Sequence, residues 1–209
     1  ELNFFENLIK KHLGNNTSEL FLKKIIYIDK ESLKKIGQEY ISNLENISDN
    51  SERVTDKFLI NFKWIGLIKL ILPNSKIVHC VRNPKDNCIS IYKNYFTSKK
   101  LSFAYNLKEI TEFYNLYNDL MEYWKNILPK FFFDIKYEKI IQNPEQQIRN
   151  LLKNCNLSWN DSCLKFYNNK RPVKTASDTQ VRKKIYKSSV DSWKNYENDL
   201  GKSLNKLPN

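Results

Sequence analysis

The chain has 209 residues, a formal net charge of +12, and 41% hydrophobic and 13% aromatic side chains. That apolar content excludes an intrinsically disordered protein, and the length indicates one ordinary domain over residues 1–209, or one domain with an appended lobe. The charge is compatible with a basic, soluble surface and equally with an anionic partner such as nucleic acid, a nucleotide, a sulfate or phosphate, or an acidic protein.

Helical spacing of apolar side chains dominates the first third of the chain. Residues 14–30, which are interrupted by Gly, Asn and Ser, predict only a weak helix. The stronger predicted helices cover residues 1–13, 29–44 and about 61–72. Asp29 or Ser32 is expected to cap the second of these helices, and Pro73 stops the third.

Two near-continuous apolar runs, KIVHCV at 76–81 and FFFDIKY at 131–137, predict parallel strands that are covered on both faces. Helices are predicted between them at 84–96 and at about 107–127. A further helix is predicted after the second strand, with Asn143 as N-cap and Pro144 at N1. Alternating strands and helices indicate an α/β fold in which helices flank a parallel sheet.

The last part of the chain differs in composition. Residues 171–189 show little periodicity and are rich in Lys, Arg, Ser and Thr, and a short helix is expected from about Val190. No internal repeat and no linker sharp enough to divide the chain is evident.

The sequence lacks the signals of a membrane span, a metal site or a disulfide framework. No segment approaches the roughly 18 consecutive apolar residues that a spanning helix needs. The cysteines, none of which forms a C-x-x-C pair, are Cys80, Cys88, Cys155 and Cys163. The two histidines do not complete a metal-ligand set. Cys80 and Cys88 lie in apolar strand and helix contexts and are expected to be small buried side chains.

Arg82 directly follows the first predicted strand, at the end where open α/β sheets bind ligands. The next helix is expected to begin with Asn83 as N-cap, Pro84 at N1 and Asp86 at N3, and its free N–H groups and dipole would favour an anion. Ser90 lies two turns into that helix. Because a guanidinium matches phosphate oxygens as a planar fork, this corner is a candidate phosphate site. The alternative is an ion pair between Arg82 and Asp86, with an exposed Ser90.

The segment PNSKIVHCVRNPKDNCISIY, in which Ser90 follows Arg82 by eight residues, resembles the 3'-phosphate-binding segment of sulfotransferases that use 3'-phosphoadenosine 5'-phosphosulfate (PAPS). It looks closest to bacterial sulfotransferases often joined to tetratricopeptide repeats, which are similar to protein-tyrosine sulfotransferases. The resemblance implies a P-loop-type three-layer fold in which Arg82 and Ser90 hold the 3'-phosphate of the cofactor. Tetratricopeptide repeats N-terminal to this chain are a candidate neighbouring region.

Three more segments resemble family motifs, in order along the chain. Lys57 in TDK, nineteen residues before Lys76, looks like the family's lysine that touches the leaving group. IKYEKIIQNPEQQIRNLL resembles the segment that supplies a tyrosine near the cofactor, here Tyr137. KTASDTQVRKKIYKSSVDSW resembles the loop that closes over the adenosine and 3'-phosphate. The expected contacts from this loop are Ser177, Arg182 and Lys184. The alternative for Lys57 is a surface lysine paired with Asp56. The alternative for Tyr137 is a buried aromatic side chain at the end of a strand. For Ser177, Arg182 and Lys184 the alternative is a solvated basic loop.

The family's opening strand and phosphate-binding loop, which grip the 5'-phosphosulfate, have no counterpart in this sequence. ELNFF resembles the family segment that begins at the glutamate of a Gly-Glu pair downstream of that loop, so an N-terminally truncated domain is expected. Glu1 then corresponds, within a residue, to the family's general-base glutamate. The alternative is an acid that the dipole of a helix N-terminus favours. A first residue other than Met agrees with missing sequence and leaves a targeting signal untested.

The resemblance implies transfer of a sulfuryl group from PAPS, as co-substrate, to a hydroxyl acceptor, with no metal required. Glu1 would take the acceptor proton, and Lys57 would stabilise the leaving oxygen. Protein tyrosine, carbohydrate and small hydroxyl compounds stay open as acceptors, although a basic surface suits an acidic peptide. The expected compartment is the cytoplasm if the host is bacterial and the Golgi lumen if it is eukaryotic.

Three other functions compete with this interpretation. A P-loop kinase or NTPase shares the parallel sheet but needs G-x-x-x-x-G-K-[ST], which the four glycines of this chain do not form. A nucleic-acid-binding module would explain the charge, yet most aromatic residues lie on helix stripes that suit core packing, so no nucleic-acid partner is expected. An inactive domain that still binds adenosine 3',5'-bisphosphate is the third.

Overall fold

A computed structural model describes residues 2–14, 19–48, 51–96, 99–170 and 178–208. The chain divides into two compact units, Glu1–Ser75 and Lys76–Asn209. Among the residues described, no helix is both long and apolar enough to cross a lipid bilayer.

The first unit is helical. Its elements are α1 (Phe4–Leu13), α2 (Glu19–Ile26), α3 (Lys30–Glu45), a 3₁₀ helix (Leu59–Trp64) and α4 (Ile65–Ile71). Asp29 caps α3, as predicted, because its carboxylate accepts a hydrogen bond from Ser32 N at 2.7 Å. Helices α3 and α4 approach closely at Gly37, where an added Cβ would lie 2.7 Å from the carbonyl oxygen of Ile71. The helix predicted at 61–72 is correct in place, although its first part is 3₁₀.

The second unit contains both strands. Its first elements are β1 (Ile77–Val81), α5 (Pro84–Tyr92), a 3₁₀ helix (Lys99–Tyr105), α6 (Leu107–Ile127) and β2 (Phe132–Lys136). They are followed by α7 (Tyr137–Gln142), α8 (Pro144–Asn154), a 3₁₀ helix (Asp161–Asn168), α9 (Asp178–Val181), a 3₁₀ helix (Ser192–Tyr196) and α10 (Glu197–Leu204). The strands pair in parallel, from Ile77 opposite Phe132 to Val81 opposite Lys136. The architecture is therefore helix-rich α/β with a small parallel sheet, whereas the P-loop-type three-layer form stays a prediction.

Within the described part of the chain, one face of β1 carries exposed side chains, which corrects the expectation that both faces are covered. Along β1 the side chains alternate between half-buried and exposed, and Val78 and Cys80 are on the exposed side. Cys80 is therefore not the buried side chain that was predicted, whereas Cys88 is fully buried and its burial raises the pKa of the thiol to about 12. A run of apolar residues in the sequence predicts a strand, but it does not show whether one face or both faces of that strand are buried.

The core of the second unit fixes α5 in place. Cys88 and Ile89 of α5 pack with side chains of α6 and with Leu204 and Leu207 from the C-terminal end of the chain. Helix α5 ends at Tyr92, four residues earlier than the predicted 84–96. This packing matters because α5 begins next to Arg82, and its anchoring holds that corner relative to the strand ends.

Candidate functional site

Arg82 and Tyr137 are brought together where the two parallel strands end. Arg82 follows the last residue of β1, and Tyr137 follows the last residue of β2. The guanidinium carbon of Arg82 lies 5.1 Å from the centroid of the Tyr137 ring, within the range of a cation–π contact. Both side chains also contact Ser189: Arg82 Nη2 donates to its carbonyl oxygen at 2.7 Å, and the Tyr137 hydroxyl lies 2.7 Å from its Oγ. Ser189 belongs to the segment KTASDTQVRKKIYKSSVDSW, which the family resemblance predicts to close over the 3'-phosphate, although it was not among the contacts expected from that loop.

One buried N–H of the Arg82 guanidinium, that of Nε, has no acceptor in the part of the chain that the structure describes. A buried donor without an acceptor costs free energy, and native proteins rarely leave one unless a ligand, an ion or water satisfies it. The corner therefore offers a positively charged fork with an N–H available to an acceptor.

The backbone N–H groups at the start of α5 were predicted to be free, but those of Lys85 and Asp86 are hydrogen-bonded. Asn83 Oδ1 accepts hydrogen bonds from Lys85 N at 3.0 Å and Asp86 N at 3.1 Å, and Pro84 has no N–H. The Asn83 carbonyl oxygen accepts from Asn87 N at 2.9 Å. The helix start is thus capped from within, and any anion at this corner depends on side-chain donors and on the helix dipole.

Asp86 does not pair with Arg82 but holds a distant segment. Its carboxylate accepts hydrogen bonds from Asp191 N at 2.8 Å, Ser192 Oγ at 3.0 Å and Trp193 N at 2.9 Å. We call residues 189–193 the strap, since they run from the Arg82–Tyr137 pair to Asp86. The sequence places Asp86 at N3 of a helix but gives no signal for a partner more than 100 residues away.

The family model described as the Sulfotransferase family matches residues 22–161. The chain belongs to the sulfotransferase family. An uncharacterized protein of Aquifex aeolicus (strain VF5) is 38% identical over 199 residues, which cover 93% of this chain and 26% of that protein. The chain thus spans about a quarter of that relative's length.

The family match includes Lys57, Arg82, Ser90 and Tyr137 of this sulfotransferase chain. Ser90 is half-buried on α5, one turn beyond Asp86 and hence on the same face of the helix. Its carbonyl oxygen accepts from Asn94 Nδ2 at 2.6 Å near the end of α5.

The predicted tail residues have different settings. Ser177 lies outside the described residues, and so does Glu1. Arg182 is half-buried. The ammonium of Lys184 lies 5.7 Å from the ring centroid of Tyr167, which is a different neighbour from those of Arg82.

Lys57 belongs to the first unit, where Asp56 fixes the backbone around it. The Asp56 carboxylate accepts hydrogen bonds from Tyr40 Oη at 2.9 Å, Phe58 N at 3.1 Å and Asn61 Nδ2 at 3.1 Å. Burial and the neighbouring Asp56 charge raise the pKa of Tyr40, which keeps its hydroxyl a donor at neutral pH. The residues on both sides of Lys57 are thus held, while the Lys57 side chain itself is exposed.

A second polar network links the two strands at His79 and Asp134, which pair in register. His79 Nδ1 lies 2.8 Å from Asp134 Oδ1, and His79 Nε2 is hydrogen-bonded to the Tyr117 hydroxyl. Lys125 Nζ donates to the other Asp134 oxygen at 2.6 Å. A neutral imidazole satisfies both neighbours, donating from Nδ1 and accepting at Nε2. Burial lowers the pKa of His79, although the Asp134 carboxylate opposes this shift.

Acidification should therefore destabilise this sulfotransferase chain through His79. Because the folded state holds the pKa below its unfolded value of roughly 6.5, the unfolded chain binds the proton first. Stability should be full above that value and fall as the pH drops through it toward the lower folded pKa. Thermal unfolding between pH 7.5 and 5.5 should show a falling Tm, and His79→Gln should flatten that slope.

The control for this experiment is Gln146→Ala, which changes an exposed side chain of α8 that does not ionise and should leave the slope in place. If Tm fell with pH as steeply in His79→Gln as in the wild type, His79 would not be the group responsible for the loss of stability.

Proposed function

We propose that this chain binds PAPS through its 3'-phosphate at the Arg82 corner and transfers the sulfuryl group to a hydroxyl acceptor. The observation that carries the proposal is the buried Nε of Arg82, which has no acceptor among the described residues, at the carboxyl end of β1 in a sulfotransferase-family chain. Phosphate oxygens are acceptors that suit a guanidinium fork. The donor set at this corner therefore fits the 3'-phosphate that PAPS carries.

The proposed contacts surround that phosphate from several elements. Arg82 supplies charge and planar donors from the end of β1, and the Ser90 hydroxyl supplies a neutral donor from α5. Tyr137 packs against the guanidinium and restricts its orientation. The Ser189 hydroxyl, bonded to Tyr137, lies beside the same pair. From the resemblance, the proposed contacts around the adenosine and 3'-phosphate also include Ser177, Arg182 and Lys184.

The proposed chemistry places two residues near the reacting atoms. PAPS supplies the activated sulfuryl group, and the leaving phosphate oxygen gains negative charge as the bond to sulfur breaks. Lys57 would stabilise that charge, and Glu1 would accept the proton of the attacking hydroxyl. Most of the acceleration would come from positioning and fixed charge, as in phosphoryl transfer. The Asp56 hydrogen bonds supply such positioning for Lys57.

The proposed acceptor is a hydroxyl compound, and the branch resemblance names protein tyrosine first among the candidates. A net charge of +12 would favour encounter with tyrosines in acidic peptides over those in basic ones. Carbohydrate and small hydroxyl acceptors remain alternatives within the same proposal.

Calorimetric titration with adenosine 3',5'-bisphosphate, 5'-AMP and ATP at physiological salt tests the cofactor half of the proposal. The full-length natural protein should bind the 3',5'-bisphosphate about 10- to 100-fold more tightly than 5'-AMP, since charge-assisted hydrogen bonds contribute roughly 1.5–3 kcal/mol. Equal affinity for the three ligands, or tighter binding of ATP, would overturn it and favour the kinase or NTPase alternative.

A further inference from the structure

The strap is held by hydrogen bonds at both ends, and one end contacts the Arg82–Tyr137 pair. At its first residue, Ser189 contacts Arg82 through its carbonyl oxygen and Tyr137 through its hydroxyl. At its other end, Asp191, Ser192 and Trp193 all donate to Asp86. Ser189, which contacts Arg82, and Asp191, which contacts Asp86, are only two positions apart in the sequence, so the position of one restricts that of the other.

The burial of Asp86 is unusual for an aspartate in the first turn of a helix. Its side chain is fully buried, and a buried carboxylate is tolerated only where donors compensate its lost hydration. Asp86 Oδ1 accepts from Ser192 Oγ and Trp193 N, and Oδ2 accepts from Asp191 N. These three donors all belong to the strap, so the carboxylate is matched to that segment.

The strap has a conformation that needs such support. Asp191 has φ 58° and ψ 16°, the left-handed region that non-glycine residues rarely adopt. This residue precedes the 3₁₀ helix Ser192–Tyr196, and its own side chain provides no cap. Hydrogen bonds from Asp191 N and Trp193 N to Asp86 take the place of a local cap and stabilise the sharp turn.

We propose that Asp86 is a positioning residue for the 3'-phosphate site. It holds the strap so that Ser189 orients the Arg82 guanidinium against Tyr137 and keeps its own hydroxyl beside that pair. Asp86 does not itself touch the cofactor; it acts through Ser189 and Arg82. The inference rests on the proposed function and adds the strap and its buried anchor to the proposed cofactor site.

Asp86→Asn is the most informative variant because it keeps the shape of the side chain and removes its negative charge. One amide oxygen can still accept, but the amide nitrogen would face a strap donor, so at least one hydrogen bond becomes a donor–donor contact. Affinity for adenosine 3',5'-bisphosphate in the full-length protein should fall about 10-fold. Affinity for 5'-AMP should stay unchanged, since it lacks the 3'-phosphate. In turnover assays the KM for PAPS should rise while kcat changes little.

Two further variants complete the experiment. Ser192→Ala removes one of the three hydrogen bonds without changing the charge, and should give a smaller loss with the same selectivity. It also keeps the test decisive if Asp86→Asn fails to fold. Lys194→Ala removes only an exposed ion pair with Asp191 and should bind both ligands as the wild type does.

The outcomes separate this inference from the proposed function. If the wild type prefers the 3',5'-bisphosphate and both Asp86→Asn and Ser192→Ala retain that preference in full, the positioning role is wrong and the proposed site stands. If both variants weaken both ligands equally, Asp86 is only a structural residue, which also overturns the inference. If the wild type shows no preference, the proposed function itself fails and the inference with it.

Discussion

Lys57→Ala in the full-length protein should lower kcat by about 10²–10³-fold, or ~3–4 kcal/mol, while affinity for adenosine 3',5'-bisphosphate stays nearly unchanged. The reason is that the proposed charge on the leaving oxygen appears only as the sulfuryl bond breaks. A cation at that position therefore stabilises the transition state more than the bound ground state. Single-turnover rates with PAPS and a hydroxyl acceptor, combined with calorimetric affinities, separate the two effects.

The matched control for this prediction is Lys63→Ala. Lys63 is also an exposed lysine of the first unit, in the 3₁₀ helix Leu59–Trp64, so its removal makes the same change in net charge. We expect wild-type kinetics from this variant. A wild-type rate in Lys57→Ala would remove Lys57 from the mechanism, and an equal loss in both variants would indicate a general electrostatic effect.

Asn61→Ala tests whether the backbone around Lys57 must be held. This change removes one of the three donors to Asp56 but leaves the lysine itself in place. The expected loss in kcat is smaller than for Lys57→Ala, because Tyr40 and Phe58 N still hold Asp56.

Local signals in the sequence predicted most of the framework of the second unit. Apolar runs located β1 and β2, and the two Asn-Pro pairs located the starts of α5 and α8. Tyr137 was assigned to the cofactor site through the family resemblance, and its contact with Arg82 follows from its position directly after β2, since parallel strands end at one edge of a sheet. These predictions succeeded because each depends on a few neighbouring residues and on one topological rule.

Two features were misjudged for different reasons. The N–H groups of α5 were expected to be free, although a good N-cap residue works by accepting those N–H groups, as Asn83 does. That error could have been avoided from the sequence. The family resemblance predicted that the segment containing the strap lies near the cofactor, but the attachment of the strap to Asp86 could not have been predicted, because Asp86 and residues 191–193 meet only through the packing of the C-terminal end of the chain against α5 and α6. Nothing local to Asp86 indicates a buried carboxylate.

Arg82→Ala should weaken binding of adenosine 3',5'-bisphosphate about 100-fold, or ~2–3 kcal/mol, and leave 5'-AMP binding nearly unchanged. The variant removes the charge and the fork, including the buried Nε that has no other acceptor among the residues described. It also removes the hydrogen bond to the Ser189 carbonyl oxygen, so a melting curve must show that the fold survives. Calorimetry with both ligands gives the selectivity directly.

Arg82→Lys and Lys136→Ala distinguish geometry from charge at this edge of the sheet. Arg82→Lys keeps the charge but loses the planar fork, so its affinity should lie between those of Arg82→Ala and the wild type. Lys136 is the exposed last residue of β2 and pairs in register with Val81, so Lys136→Ala removes a cation from the same edge. That variant should keep most of the affinity. If Lys136→Ala lost as much as Arg82→Ala, any positive charge at the strand ends would suffice. The Arg82 corner would then not be a specific phosphate site, because a specific site depends on where the donors point as well as on their charge.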